Sequence, residues 1–254
     1  MSFEELLRTA FASIRAHKLR SVLTLLGIII GVTTVVGVAS VISGLNTFVQ
    51  DKVIRLAPDV YVITKFGIIR SREEFLDALK RPDFTPRDVG RLEATLTRAE
   101  ALAADVTGRS PIKHRDKRLP DTPVHGSTAN YAEMLGKDIE SGRWFAEADD
   151  RASRAVAVIG WDVKDELFPR QDPIGRTFTI DGVPFSVVGV VAQQGSVFGQ
   201  TEDTHVYVPM STYRKNWGTR NSIDMLIKAR GGVPGVDASV DEVRAVLRAL
   251  RHTA

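Results

Sequence analysis

Cysteine is absent from this chain, so disulfides, thiolate nucleophiles and cysteine–zinc sites are all excluded. The absence assigns no compartment, because a domain with a large core does without disulfides. Motifs for catalysis are missing as well. No Gly-x-x-x-x-Gly-Lys-Ser/Thr loop occurs, so nothing here cradles the phosphates of ATP. Neither Gly-x-Ser-x-Gly, His-Glu-x-x-His nor Gly-x-Gly-x-x-Gly is present. The histidines, His17, His114, His125, His205 and His252, are scattered and lack metal-ligand spacing. Glu147, Asp149 and Asp150 form an acidic group that reads as a helix start rather than a cation site. These absences disfavour an enzyme, and no cofactor or metal is expected.

Charge is also missing, but only locally. No Asp, Glu, Lys or Arg lies between Arg20 and Asp51. Within that gap, Val22 to Ile42 is a 21-residue stretch in which 14 positions are aliphatic. About 20 such residues are needed for a helix to cross a hydrocarbon core of about 30 Å. A cleaved signal peptide has a shorter apolar core, of about 7–15 residues. A buried soluble helix is rarely this long and apolar. A transmembrane helix over 21–50 is therefore expected. Gly27 and Gly31 make a Gly-x-x-x-Gly pair, and Gly37, Ser40 and Gly44 extend the run of small residues. Small residues allow close approach of another helix backbone, so packing against other membrane helices is expected.

Residues 1–20 have helical periodicity. Phe3, Leu6, Leu7, Ala10, Phe11 and Ile14 fall on one stripe, and Ser2 with Glu5 makes a capping box. Such a helix lies in the membrane interface with its apolar face down, or docks on a partner. The net charge of +3 is largely supplied here, by Arg8, Arg15, Lys18 and Arg20 against Glu4 and Glu5. The remaining body is nearly neutral, which gives no support to nucleic-acid binding. Lys and Arg are evenly balanced on the two sides of the span, so charge does not set its orientation.

After Asp51 the pattern alternates strand and helix. Asp59 to Thr64 reads as a strand, Thr85-Pro86 opens a helix, and Glu100 to Val106 reads as a return strand, together a βαβ unit. The basic run Lys113 to Arg118 reads as a solvated loop, or as a contact with an acidic partner. Ala155 to Gly160 is a buried strand, and Asp162 caps the short helix after it. Asp181-Gly182 between Arg176–Ile180 and Pro184–Ala192 signals a hairpin. Asp203 to Pro209 and Ser222 to Ala229 add strands. Ser239 with Glu242 makes a capping box for a closing helix from Val240 to about Leu250. The expected fold is membrane-anchored α+β: one N-terminal transmembrane helix, an α/β subdomain from 51–120 and 201–254, and an inserted β-rich subdomain at 121–200.

Four stretches carry a resemblance. Arg15 to Gly31, the turn Gly142-Arg-Trp-Phe145, the block from Ala155 to Val190 with Glu166-Leu-Phe168, Asp172-Pro-Ile-Gly-Arg176 and Asp181-Gly-Val-Pro-Phe185, and Val206-Tyr-Val-Pro-Met210 follow one another in order. In that order they resemble the membrane subunit of MacB/FtsX-type ABC transporters, the group of macrolide exporters and lipoprotein-release permeases. The resemblance implies a cytoplasmic N-terminal helix, one span, and an extracytoplasmic domain in the bacterial inner membrane. It implies a separate or fused ATPase dimer, a dimeric assembly of spans, and a periplasmic adaptor or substrate protein as partner. Such families continue with about three more spans after the outer domain, so an incomplete unit is expected. The alternative is a single-pass anchored binding or scaffold module.

Overall fold

The structure is a computed structural model that describes residues 18–48, 57–67, 69, 71–197, 200–201, 203–218 and 221–251. The chain divides into two units, Met1–Ile54 and Arg55–Ala254.

In the first unit α1 runs from Lys18 to Phe48, 31 residues without a charge after Arg20. At 1.5 Å per residue it is about 46 Å long, more than a bilayer core requires. Its window Lys18–Ile42 has a mean hydropathy of 2.5, and the helix is long and apolar enough to cross a membrane. The expected interface residues Phe3, Leu6, Leu7, Phe11 and Ile14 lie outside the described residues.

The second unit carries strands β1 (Val60–Ile63), β2 (Ala99–His114), β3 (Lys117–Ser127), β4 (Ile139–Gly142), β5 (Val156–Ile159), β6 (Thr177–Ile180), β7 (Val183–Val191), β8 (Ser196–Val197), β9 (Gln200–Thr201), β10 (Val206–Pro209) and β11 (Asp224–Ala229). Its helices are α2 (Arg72–Lys80), α3 (Pro86–Thr95), α4 (Tyr131–Met134), α5 (Glu147–Arg151), α6 (Trp161–Leu167), α7 (Met210–Trp217) and α8 (Val236–Arg251). The nine-stranded sheet has the order β1-β11-β2-β3-β10-β5-β7-β4, and β6 pairs with both β2 and β7. Strands β2, β3, β10, β5, β7 and β6 thus close into a six-stranded ring of mixed direction. Each ring strand contributes to one core cluster: Ile112, Val124, Val206 and Val208, Ala157 and Ile159, Phe185 and Val187, Phe178 and Ile180. The alternate spacing within strands marks these as inward-facing positions of a small closed barrel.

Several expectations need correcting. The unit from β1 to β2 is not a simple βαβ. Both strands run antiparallel to β11, which lies between them, so they are parallel to each other but not neighbours. The C-terminal strand has four of six residues buried, which suits it to that central place. Strand β2 extends well beyond Val106. Its first half pairs with β11, and after Pro111 it pairs with β6 at Ile112 and Lys113. The register shifts between Ser110 and Ile112, where proline has no N–H to give the ladder. The basic run at 113–118 is not a loop but the tip of the β2–β3 hairpin, with Arg115 at φ 53° in its turn. Of the expected boundaries, residue 120 lies within β3 of the nine-stranded sheet, and residue 200 lies in β9, which pairs with β8 in a separate two-stranded sheet.

The hairpin at 181–182 forms as the sequence indicates. Asp181 (φ 49°) and Gly182 (φ 82°) both take the left-handed conformation that a tight two-residue turn requires. Thr85 caps α3 with Asp88 in a capping box. The expected caps at Asp162 and at Ser239 with Glu242 differ, and the pair Ser2 and Glu5 lies outside the described residues. Helix α6 starts after Gly160, and Asp162, one residue into it, accepts hydrogen bonds from Thr201 Oγ1 (2.5 Å) and Thr204 Oγ1 (3.0 Å). Helix α8 starts at Val236, so Ser239 and Glu242 are already inside it. Ser239 is buried and meets the Tyr61 hydroxyl at 2.8 Å. Glu242 accepts from Thr97 Oγ1 (2.6 Å) and the Arg98 N–H (2.9 Å), closing the loop between α3 and β2.

Candidate functional site

Two regions answer to the expectations. The first is α1. Its threonine hydroxyls return to the helix itself: Thr24 Oγ1 donates to the Arg20 and Ser21 carbonyls, both at 3.0 Å, and Thr34 Oγ1 donates to Ile30 at 2.8 Å. In hydrocarbon this removes the cost of a bare hydroxyl. The aliphatic side chains point outward on every side, including Leu23, Ile28, Val35 and Val41. Nothing lies within 4 Å of a Cβ built at Gly27, Gly31 or Gly37. Gly44 falls on the same helix. At about 100° per residue, Gly27 and Gly31 lie within about 40° of each other, and Gly37 and Gly44 within about 20°. The pairs are roughly 80–140° apart by the same geometry, so the small residues make two faces rather than one stripe.

The second region is the turn Gly142-Arg-Trp-Phe145. Gly142 sits at φ 75°, and a Cβ there would come 2.2 Å from the Val188 carbonyl oxygen. A Cβ on Gly189 would come 2.3 Å from the Arg143 carbonyl oxygen. Two backbones are therefore pressed together where only glycine fits. The Arg143 N–H donates to Val188 O at 2.9 Å and fixes the turn on β7. The Arg143 guanidinium then reaches Asp149 Oδ2 at 2.8 Å, and Arg154 reaches Oδ1 at 3.1 Å. Asp149 is buried, and the Ala146 N–H donates to it as well (2.9 Å). The hydrogen bond from Arg143, with that from Ala146, holds the Asp149 carboxyl below its ordinary range. Asp150 accepts from the Ser211 N–H at 2.8 Å, and Glu147 pairs with Arg151 at 2.7 Å. All three acids of this group are thus engaged with the protein, and no cluster suited to a metal occurs among the described residues.

One arrangement was not visible in the sequence. His125 and His205 are 80 residues apart, yet Nε2 of the first lies 3.1 Å from Nδ1 of the second. Parallel pairing of β10 on β3 brings them together. His125 Nδ1 in turn meets Asp105 Oδ2 at 2.9 Å, and Thr107 Oγ1 donates to the same oxygen. Burial, followed by the nearby His125, pushes His205 down to about 3, so it is neutral near pH 7. Asp105 Oδ2 accepts from the His125 Nδ1–H, so one polar chain runs from Asp105 through His125 to His205. Tyr207 stacks on His125 at 4.9 Å, and Trp144 of the turn packs on Tyr207 at 5.1 Å. This is a partly buried polar chain beside aromatic rings, and it ties β2 and β3 to the entry of β10.

A bare apolar helix joined in sequence to this domain agrees with one known group. The profile of the MacB-like periplasmic core domain matches residues 21–250. The chain belongs to that family. It is 29% identical over 94% of its length to the macrolide export ATP-binding/permease protein MacB of Bdellovibrio bacteriovorus, and covers 37% of that protein. It is 29% identical over 86% of its length to the ABC transporter permease YknZ of Bacillus subtilis, and covers 54% of it. Its fold matches the periplasmic region of MacB from Actinobacillus actinomycetemcomitans with a TM-score of 0.65 at 18% identity, over 77% of this chain and 86% of that one. The chain therefore spans little more than a third to a half of these two relatives, and the matched region is that of a permease. It is homologous to the periplasmic regions of MacB/YknZ-type ABC transporter permeases.

Proposed function

We propose that this chain is the membrane subunit of an ABC-type export complex that relays motion of a cytoplasmic ATPase to its extracytoplasmic domain. One observation carries the reading. A helix long and apolar enough to cross a membrane, over Lys18–Ile42, lies on the same chain as a MacB-like periplasmic core domain. Such a helix is at home only in lipid or against other membrane helices. Gly27 with Gly31 offers one face for a neighbouring helix, and Gly37 with Gly44 another. The ATPase lies outside the matched permease region, in a separate or fused nucleotide-binding unit. The spans pair as a dimer in the bacterial inner membrane. The outer domain, an open α/β part joined to a closed β-rich part through β2 and β3, meets an adaptor or substrate protein.

The test is affinity purification of the full-length gene product from its own membranes in mild detergent. A P-loop ATPase recovered in stoichiometric amount, with ATP-dependent change in crosslinking between the spans, supports the reading. A chain recovered alone, with crosslinks indifferent to ATP, contradicts it.

A further inference from the structure

The tip of the β2–β3 hairpin concentrates positive charge. Lys113, Arg115, Lys117 and Arg118 are all exposed within six residues, against Asp116 alone. None of the four enters an ion pair among the described residues, whereas Arg109, further down the same hairpin, pairs with Asp121 at 2.9 Å. Lys113 and Arg118 stand directly opposite each other across the ladder. Like charges at that position destabilise a strand pair. Asp165 and Glu166 line a cleft with Leu119 nearby, but neither is paired with these cations.

The tip is nevertheless held rigidly. Ile112 is fully buried, Ile112 and Lys113 pair with β6, His114 Nδ1 meets the Thr177 carbonyl at 2.8 Å, and the His114 ring packs on Phe168 at 4.4 Å. Protection of a free strand edge accounts for only part of the charge. Lysine and proline on an edge keep other strands away, and Lys117, Arg118, Pro120 and Pro123 of β3 serve that purpose. Lys113 is different, because β2 is flanked there by both β3 and β6. Arg115 sits in the turn.

We propose that this hairpin tip is a docking surface for an acidic segment of a partner protein. Arginine forks match carboxylates in geometry as well as charge. A lipid surface fits less well, because binding there draws on inserted apolar side chains and the tip exposes none. The proposal does not depend on the export reading, since it needs only an accessible domain.

The experiment uses the full chain in phosphatidylcholine nanodiscs and a fluorescein-labelled peptide of ten glutamates. The wild type binds the peptide, and affinity falls by about tenfold or more between about 50 and about 300 mM salt, over which the Debye length shortens from about 14 to about 6 Å. A variant combining Lys113→Gln, Arg115→Gln, Lys117→Gln and Arg118→Gln loses about tenfold or more. A control with the same change in net charge elsewhere, Arg87→Gln, Arg91→Gln, Arg214→Gln and Lys215→Gln, changes by less than about twofold, because rim charges act locally. Should the quadruple variant fail to fold, Arg118→Gln alone gives about a two- to threefold loss by the same reasoning. Equal weakening by the tip and control variants overturns the proposal. So does preferential binding to phosphatidylglycerol vesicles over the peptide. Self-association of the tip variant with peptide binding intact also overturns it, and shows edge protection to be the role of these charges.

Discussion

The side chains of α1 and those of the six-stranded ring are of the same kinds, yet one set is bare and the other covered. Ile28 and Val35 are 64% and 70% exposed, while Ile180 and Val187 of the ring are fully buried. The polar groups differ in the same direction. In α1 the threonine hydroxyls satisfy themselves on their own helix. In the second unit Asp150 and Glu242 join elements distant in sequence, and Asp149 ties together the turn and helix ends around it. The difference locates stability. The outer domain holds itself together through its own core and buried carboxylates. The helix exposes its described apolar side chains, and in the reading proposed here lipid and other helices cover them.

Substitutions can break or sharpen that contrast. Phe178→Ala removes a fully enclosed ring side chain and should cost about 3–5 kcal/mol. That lowers the unfolding midpoint of the outer domain by about 10 °C, measurable by calorimetry. Asp149→Ala leaves Arg143 and Arg154 without their shared acceptor. Both guanidinium groups are more than half exposed, so the expected loss is nearer about 2 kcal/mol than the cost of a fully buried pair. Because the folded Asp149 carboxyl is held below its unfolded value, its contribution is complete above about pH 4 and lost as pH falls through the folded value. The wild type should therefore lose more stability than Asp149→Ala between pH 5 and 3. Equal losses in a denaturant titration would assign the acid sensitivity elsewhere.

Smaller still is Glu242→Gln, which weakens the charge-assisted bonds to Thr97 and Arg98 by about 1 kcal/mol. Burial alone would raise that carboxyl, but these hydrogen bonds outweigh it. Gly27→Ile should leave the outer domain's midpoint unchanged within about 0.5 kcal/mol and act only on helix assembly, seen as loss of intermolecular crosslinks. Unchanged crosslinks would remove the Gly27–Gly31 face from the account.

Much of this was legible in the chain, and what was not has physical causes. The apolar helix α1 showed itself because a long stretch without charge leaves a gap that is easy to read. The Asp181-Gly182 turn was readable because its backbone demands residues tolerant of positive φ. The split order β1-β11-β2 was hidden, since a strand inserted from 120 residues downstream leaves no local trace between β1 and β2. The hairpin at 113–118 was masked by its charges, which suit a solvated loop equally well. Ser239 and Glu242 carried a true capping pattern, but the same spacing inside a helix puts both on one face, and tertiary partners took them. His125 and His205 meet only because β3 and β10 pair. The glycines of α1 looked like a single run until helical rotation separated them.

The central claim is that α1 crosses the membrane and places the outer domain on the far side from residues 1–17. The absence of cysteine makes a direct test simple. Arg8→Cys and Asp116→Cys are introduced singly, and intact spheroplasts are treated with a membrane-impermeant maleimide. Labelling of Asp116→Cys at once, with Arg8→Cys labelled only after lysis, is the predicted result. Labelling of both positions in intact cells, or of neither, would contradict it.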